Sequence, residues 1–204
     1  DVILTDDNFA TIVSAVEEGR RIYDNILKAV AYLLSSNIGE IITLFVGTML
    51  GWAIEPLMPI HILWINLVTD SLPALALSVD PAEEDIMERK PLKSGKGIFT
   101  KGRTFRIIYQ GLMIGLLTLS AYLIGLGTTH TAIDGLTLEQ TKIEVGQTMA
   151  FIVLAFSELI HVFNIRDNKN SIFKTGILGN SILIWAVLAS AFLMVMILAV
   201  PALR

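Results

Sequence analysis

The sequence predicts an all-α polytopic membrane helix bundle of five transmembrane helices, the first extended into the cytoplasm as a stalk and the second unwound near its middle. Three observations carry this expectation. Hydrophobic residues make up 53% of the 204 residues and charged ones only 17%, with a mean hydropathy of +0.66, far from the balance of a soluble domain. Apolar runs recur along the chain, each long enough to cross a hydrocarbon core of about 30 Å at about 1.5 Å per residue. The basic residues gather on alternate connections instead of being scattered. With no cysteine, a disulfide framework, a thiolate metal site and a cysteine nucleophile are all excluded.

The candidate spans are Ile26–Ile54, Pro59–Leu77, Ile107–Gly127, Val145–Phe163 and Ile177–Val200. Of the 15 Lys and Arg residues, all except Lys142 and Arg204 then fall on one side. The positive-inside rule places that side, and the N-terminus, in the cytoplasm and the C-terminus outside. The first 25 residues are too charged to hold a cleavable signal peptide.

Taken in order, Phe9, Ile12, Val13, Val16, Tyr23 and Ile26 repeat at helical spacing, with Asp6 or Asp7 as N-cap. No proline occurs before Pro56, so this helix is expected to run from about Asn8 to Thr48, about 60 Å and twice what a span requires. Lys28 reads as a snorkelling residue at the inner boundary, and Glu55, Pro56 and Pro59 as an outer turn. The second span is interrupted by polar residues and by Pro73, which removes a backbone donor and clashes with the carbonyl of Thr69. Unwinding there would expose carbonyls to a cation. The loop from Val79 to Arg103 turns from acidic to basic, which fits either a solvated loop or one that docks against a cytoplasmic domain. In the third span Gly111 and Gly115 form a GxxxG that lets another helix approach closely.

Three carboxylates, Glu40, Asp70 and Glu158, lie inside spans. At about 2.5–3.5 kcal/mol each, leaving them uncompensated costs about 8–10 kcal/mol. Asn37 and Glu40 are three residues apart, and Asn66, Thr69 and Asp70 stand at i, i+3 and i+4, so each set faces one way. All are hard oxygen ligands, and together with Glu158 they supply at most nine side-chain oxygens, enough for one Ca²⁺ with its usual complement of about 6–8 ligands. A single Asn or Thr in a span is ordinary interhelical glue, whereas five such residues on adjacent spans call for a cation. Glu158 taken alone reads as either a ligand or a structural acid, and His161 as interfacial or packing.

The stretches TDDNFATIVSAVEEGRRIYDNI, YLLSSNIGEI, LWINLVTDSLPALAL and DIMERKP together closely resemble the C-terminal membrane portion of P-type calcium pumps of the sarco/endoplasmic reticulum type, and the lack of cysteine and the short loops suggest a bacterial member. The resemblance implies that the spans are helices five to nine of a ten-helix pump. Residues 1–25 would then close the phosphorylation domain and form the stalk, and residues 26–204 would form the cation-transporter domain with cytoplasmic loop 79–103. It further implies partners outside this chain: the lipid bilayer, helices one to four, and cytoplasmic domains that use ATP and Mg²⁺. No DKTGT sequence occurs here, so neither catalytic nor nucleotide-binding residues are expected within this chain. Carried over motif by motif, the ligands of a transported Ca²⁺ would be Asn37 and Glu40, then Asn66, Thr69 and Asp70, then Glu158, with one further glutamate from helix four. Sodium/potassium pumps usually have a proline before the glutamate and an aspartate opening the next motif, where this chain has Gly39 and Asn66. Calcium/manganese pumps of the secretory pathway lack carboxylates at the positions of Glu40 and Glu158. A passive cation channel or binding protein built from the same helices is the alternative from a different class.

Overall fold

The structure is a computed structural model that describes residues 8–51, 55–83, 85–90, 99–133, 135–166 and 179–199. Among these every regular element is helical. Helix α1 runs Phe9–Met49, α2 Pro59–Trp64 and α3 Ser71–Ser78, with a π-helical segment at Ile65–Thr69 between the last two. Then follow α4 at Lys101–Thr128, α5 at Leu138–Arg166 and α6 at Ser181–Ala199. Taking α2 to α3 as one unit, five helices are long and apolar enough to cross a membrane.

Helix α1 begins where Asn8 accepts a hydrogen bond from the Ala10 amide at 3.0 Å, satisfying one of the donors left over at a helix start. The expected caps Asp6 and Asp7 lie outside the described residues. It stops at Met49, just before Gly51, whose φ of 66° is the left-handed conformation in which helices commonly end. Its 41 residues give about 60 Å. The turns from Phe9 to Gly19 are exposed, and burial begins near Asn25. Val46 and Thr48 carbonyls are taken by the amides of Leu50 and Gly51.

The closest helix contacts run through glycine. A Cβ on Gly111 would lie 2.5 Å from Ile38 Cγ2 and 2.8 Å from the Ser35 carbonyl oxygen, and one on Gly115 would lie 3.0 Å from the Gly39 carbonyl oxygen. The GxxxG of α4 is therefore the seam against α1. Further along, a Cβ on Gly125 would stand 2.7 Å from Gly146 Cα, so α4 meets α5 in the same way.

Two apolar clusters fill the bundle. One contains Tyr32, Leu77, Ile107, Val162, Ile165 and Leu183, and the other Ile65, Ile114, Tyr122, Phe151, Leu154 and Met194. Several buried polar residues fall between them: Ser36 and Glu40 on α1, Thr69 and Asp70 at the π segment, Glu158 on α5 and Ser190 on α6. The bundle thus has a polar layer between two dry ones.

Lys28 corrects the expectation of a snorkelling side chain. Only 4% of it is exposed, and its Nζ lies 3.0 Å from Asp80 Oδ2. Asp80 Oδ1 accepts from Arg166 Nε at 3.0 Å and Asn180 Nδ2 at 2.9 Å, while its carbonyl accepts from Asn25 Nδ2 at 2.7 Å. Opposite charges in direct contact let the ammonium stay inside instead of reaching for water.

Candidate cation site in the membrane interior

The second span is not unwound, as its sequence led one to expect; its helix is widened. The Asp70 amide donates to the Ile65 carbonyl at 2.9 Å, an i to i−5 bond that closes a π turn. Pro73, on α3, offers no amide to the Thr69 carbonyl. That carbonyl accepts the Ser190 hydroxyl of α6 at 3.2 Å, and Ser71 Oγ donates to the Asn66 carbonyl at 2.9 Å. The chain therefore passes a proline at mid-membrane with its backbone bonded by neighbours, the condition for irregular backbone in a bilayer. The inserted turn carries Asn66, Thr69 and Asp70.

Asn66 Nδ2 donates to both carboxylate oxygens of Glu40, at 2.9 and 3.0 Å, which ties α1 to the π segment. The Tyr32 hydroxyl donates to Asp70 Oδ1 at 2.8 Å. Glu158 lies within electrostatic reach of Asp70 and Glu40. Thr69, Asp70 and Glu158 are fully buried, yet Thr69 Oγ1, Asp70 Oδ2 and both Glu158 oxygens have no hydrogen-bond partner. Leaving one such group unsatisfied costs about 1–3 kcal/mol, more when it is charged. Buried carboxylate oxygens beside a hydroxyl oxygen are groups that a cation would satisfy. Among the described residues, no group of three or more His, Asp or Glu side chains stands close enough together to hold a metal ion as the structure is drawn.

Asn37 is not brought into this layer. It is half-buried and its Nδ2 donates to the Leu33 carbonyl of its own helix at 2.7 Å. The face of α1 that meets the site is instead Tyr32, Ser36 and Glu40, all buried and spaced by four residues, which keeps them in line. That spacing was the signal for Tyr32 and Ser36, obscured because Asn37 has the more obvious ligand chemistry. His161 is buried, with Nε2 2.9 Å from Ser35 Oγ and its ring 6.3 Å from that of Tyr32; it is a packing residue of the interior. Ser190 has no sequence signal, since one hydroxyl in a span is unremarkable by itself.

Five membrane-length helices around a layer of buried carboxylates define a polytopic membrane domain with a polar interior. Residues 54–204 match the family described as cation transporting ATPase, C-terminus, and the chain belongs to that family. It is 49% identical over 206 residues to calcium-transporting ATPase 1 of Bacillus cereus, covering 98% of this chain and 23% of the relative. It is 34% identical over 224 residues to an endoplasmic reticulum calcium ATPase of Aspergillus fumigatus, covering 100% of this chain and 23% of the relative. A sodium/potassium exporting P-type ATPase of Schizosaccharomyces pombe is 35% identical over 184 residues, with 85% and 18% covered. The chain thus spans about a fifth to a quarter of the length of these relatives.

Proposed function

We propose that this chain is the membrane part of an ATP-driven pump that binds and translocates Ca²⁺, with Asn37, Glu40, Asn66, Thr69, Asp70 and Glu158 as ligands of the transported ion. The reading is carried by one observation: Asp70 Oδ2, Thr69 Oγ1 and both oxygens of Glu158 are buried without a donor. A dication replaces its hydration shell with about 6–8 hard oxygens, and carboxylates held in a dry interior supply both the oxygens and the charge. Asn66 can keep its amide on Glu40 while turning its carbonyl oxygen to the ion. Asn37 joins by releasing Leu33, a side-chain rotation at the cost of one hydrogen bond.

In this reading residues 1–25 belong to the end of the phosphorylation domain and the stalk, residues 26–204 to the transport domain, and loop 79–103 to the cytoplasmic side, with the protein in a bacterial cell membrane. ATP and Mg²⁺ act in the portion of the pump outside this chain. The exposed apolar face of Phe9, Ile12, Val13 and Val16 is then the surface that meets it. Helix α1 acts as a rod. Arg20 Nη1 donates to the carbonyls of Ile86 at 2.7 Å and Arg89 at 3.0 Å, and Arg89 Nη1 lies 2.6 Å from Asp24 Oδ2. A displacement of the stalk therefore carries the loop with it and reaches Glu40 along one continuous helix.

The test is metal-dependent ATPase activity of the full-length polypeptide. Activation by micromolar Ca²⁺, lost in Asp70→Asn, supports the reading. Activation by Na⁺ or K⁺ instead would favour the chemistry named for the Schizosaccharomyces relative, and ion flux without ATP would identify a passive channel.

A further inference from the structure

We infer that Ser190 is a positioning residue of the cation layer: its hydroxyl fixes the peptide plane between Thr69 and Asp70, and through it the aim of both side chains. Helix α6 carries no acidic, basic or amide side chain anywhere along Ser181–Ala199, and its only hydroxyls are those of Ser181 and Ser190. Ser190 is fully buried. Its Oγ lies 3.2 Å from the Thr69 carbonyl oxygen and 3.3 Å from that of Val68. A hydroxyl has one proton to donate, so these two carbonyls share a single donor.

A hydroxyl inside a helix ordinarily donates to the carbonyl four residues back in its own helix. Thr43 does so with Gly39, Thr118 with Ile114 and Ser120 with Leu116. Ser190 instead reaches across to the π segment, to the carbonyl that Pro73 leaves without an amide. The peptide unit joining Thr69 to Asp70 is planar, so its oxygen and its amide turn together. Ser190 holds the oxygen, and the Ile65 carbonyl holds the Asp70 amide at 2.9 Å. With both ends of the plane fixed, ψ of Thr69 and φ of Asp70 are fixed as well, and those angles set where the two side chains point. Thr69 Oγ1 stays unbonded, and Asp70, whose Oδ1 accepts from Tyr32, keeps Oδ2 free. Both oxygens are ligands in the reading proposed above, on which this role rests. A hydroxyl that only stabilised the fold would change the unfolding midpoint alone, whereas a positioning hydroxyl changes ion affinity through Thr69 and Asp70.

The experiment titrates cation-activated ATPase activity of the full-length polypeptide with Ca²⁺, and with Na⁺ and K⁺ in parallel. In Ser190→Ala the half-activating Ca²⁺ concentration should rise about five- to tenfold, as expected for one hydrogen bond lost from a buried site. The rate at saturating Ca²⁺ should stay within about twofold of wild type. Ser190→Thr, which keeps the donor, should restore the wild-type response. In a Thr69→Val background the same Ser190→Ala change should shift the concentration less, because one of the two aimed groups is already gone. If Ser190→Ala folds poorly, Ser190→Cys keeps the shape with a weaker donor and should shift the concentration in the same direction. An unchanged half-activating concentration in a folded variant, a shift that Ser190→Thr does not rescue, or additive shifts in Thr69→Val each overturn the role and leave the ion reading intact. If Na⁺ or K⁺ activates the wild type in place of Ca²⁺, the ion reading fails, and the same comparison made with that cation supports or overturns the role of Ser190. No activation by any of the three cations overturns both.

Discussion

Lys28 Nζ and Asp80 Oδ2 form an ion pair of 3.0 Å in which each side chain is only 4% exposed. Asp80 also faces Arg166, so this one carboxylate neutralises two cations from α1 and α5 at the end of α3. Removing one member of a buried ionic set strands the others, typically at a cost of about 3–5 kcal/mol. Asp80→Leu should therefore lower the thermal unfolding midpoint sharply in detergent. Adding Lys28→Met should recover part of the loss, because one stranded charge disappears with it. An unchanged midpoint in Asp80→Leu would contradict the clamp.

Gly111 gives a steric prediction. Its missing Cβ would meet Ile38 and the Ser35 backbone at under 3 Å, and overpacking of this kind costs about 1–3 kcal/mol. Gly111→Ala should destabilise by that amount, whereas Gly127→Ala on the same helix, where nothing lies within 4 Å, should be neutral or stabilising by up to about 1 kcal/mol. Paired unfolding curves of the two variants check the contrast, and equal effects would place the α1–α4 seam elsewhere.

Ser190 and Pro73 should be coupled. Ser190→Ala leaves the Thr69 carbonyl without its donor, a loss of about 1–3 kcal/mol for a buried acceptor. In a Pro73→Ala background residue 73 regains an amide that can reach that carbonyl, so the same Ser190→Ala change should cost much less. A double-mutant cycle measures the difference. Additive effects would mean that the two groups do not serve the same oxygen.

The loop after α3 was expected either to lie solvated or to dock outward through its acids. The structure commits Glu83 and Asp85 to Arg89, whose hydrogen bond with Asp85, together with nearby Glu83 and Asp24, holds its guanidinium above the ordinary arginine pKa. Glu88 remains exposed. Arg89→Gln should speed proteolysis within residues 79–90 and slow Ca²⁺-activated turnover of the full-length polypeptide while leaving equilibrium Ca²⁺ binding nearly unchanged. Loss of binding with normal turnover would contradict a coupling role.

The spans were legible because hydropathy over about 19 residues reports burial in lipid directly, and the length of α1 because no proline interrupts it before Pro56. Glu40, Asn66 and Asp70 were legible because polar groups in hydrocarbon need a reason. What could not be read were partners distant in sequence. Pro73 announces a backbone defect, but the group that takes up the Thr69 carbonyl is Ser190, more than a hundred residues away. Lys28 looks like a boundary residue until Asp80 is folded against it. Asn37 stands out by residue type, whereas Tyr32 and Ser36 stand out only by sharing the buried face of Glu40.

The central claim is that the buried carboxylate layer binds the transported ion, and equilibrium binding of radioactive calcium to the full-length polypeptide tests it most directly. Asp70 is flanked by Tyr32 and close to Glu158; the proposal is that Asp70 serves two ions and Glu158 one. With about 6–8 oxygens needed for each Ca²⁺, a shared carboxylate matters more than a peripheral one. The expected result is about two ions per wild-type molecule, about one for Glu158→Gln and none for Asp70→Asn. Undiminished binding in Asp70→Asn would contradict the account, and a wild-type stoichiometry of about one would return Glu158 to a structural role.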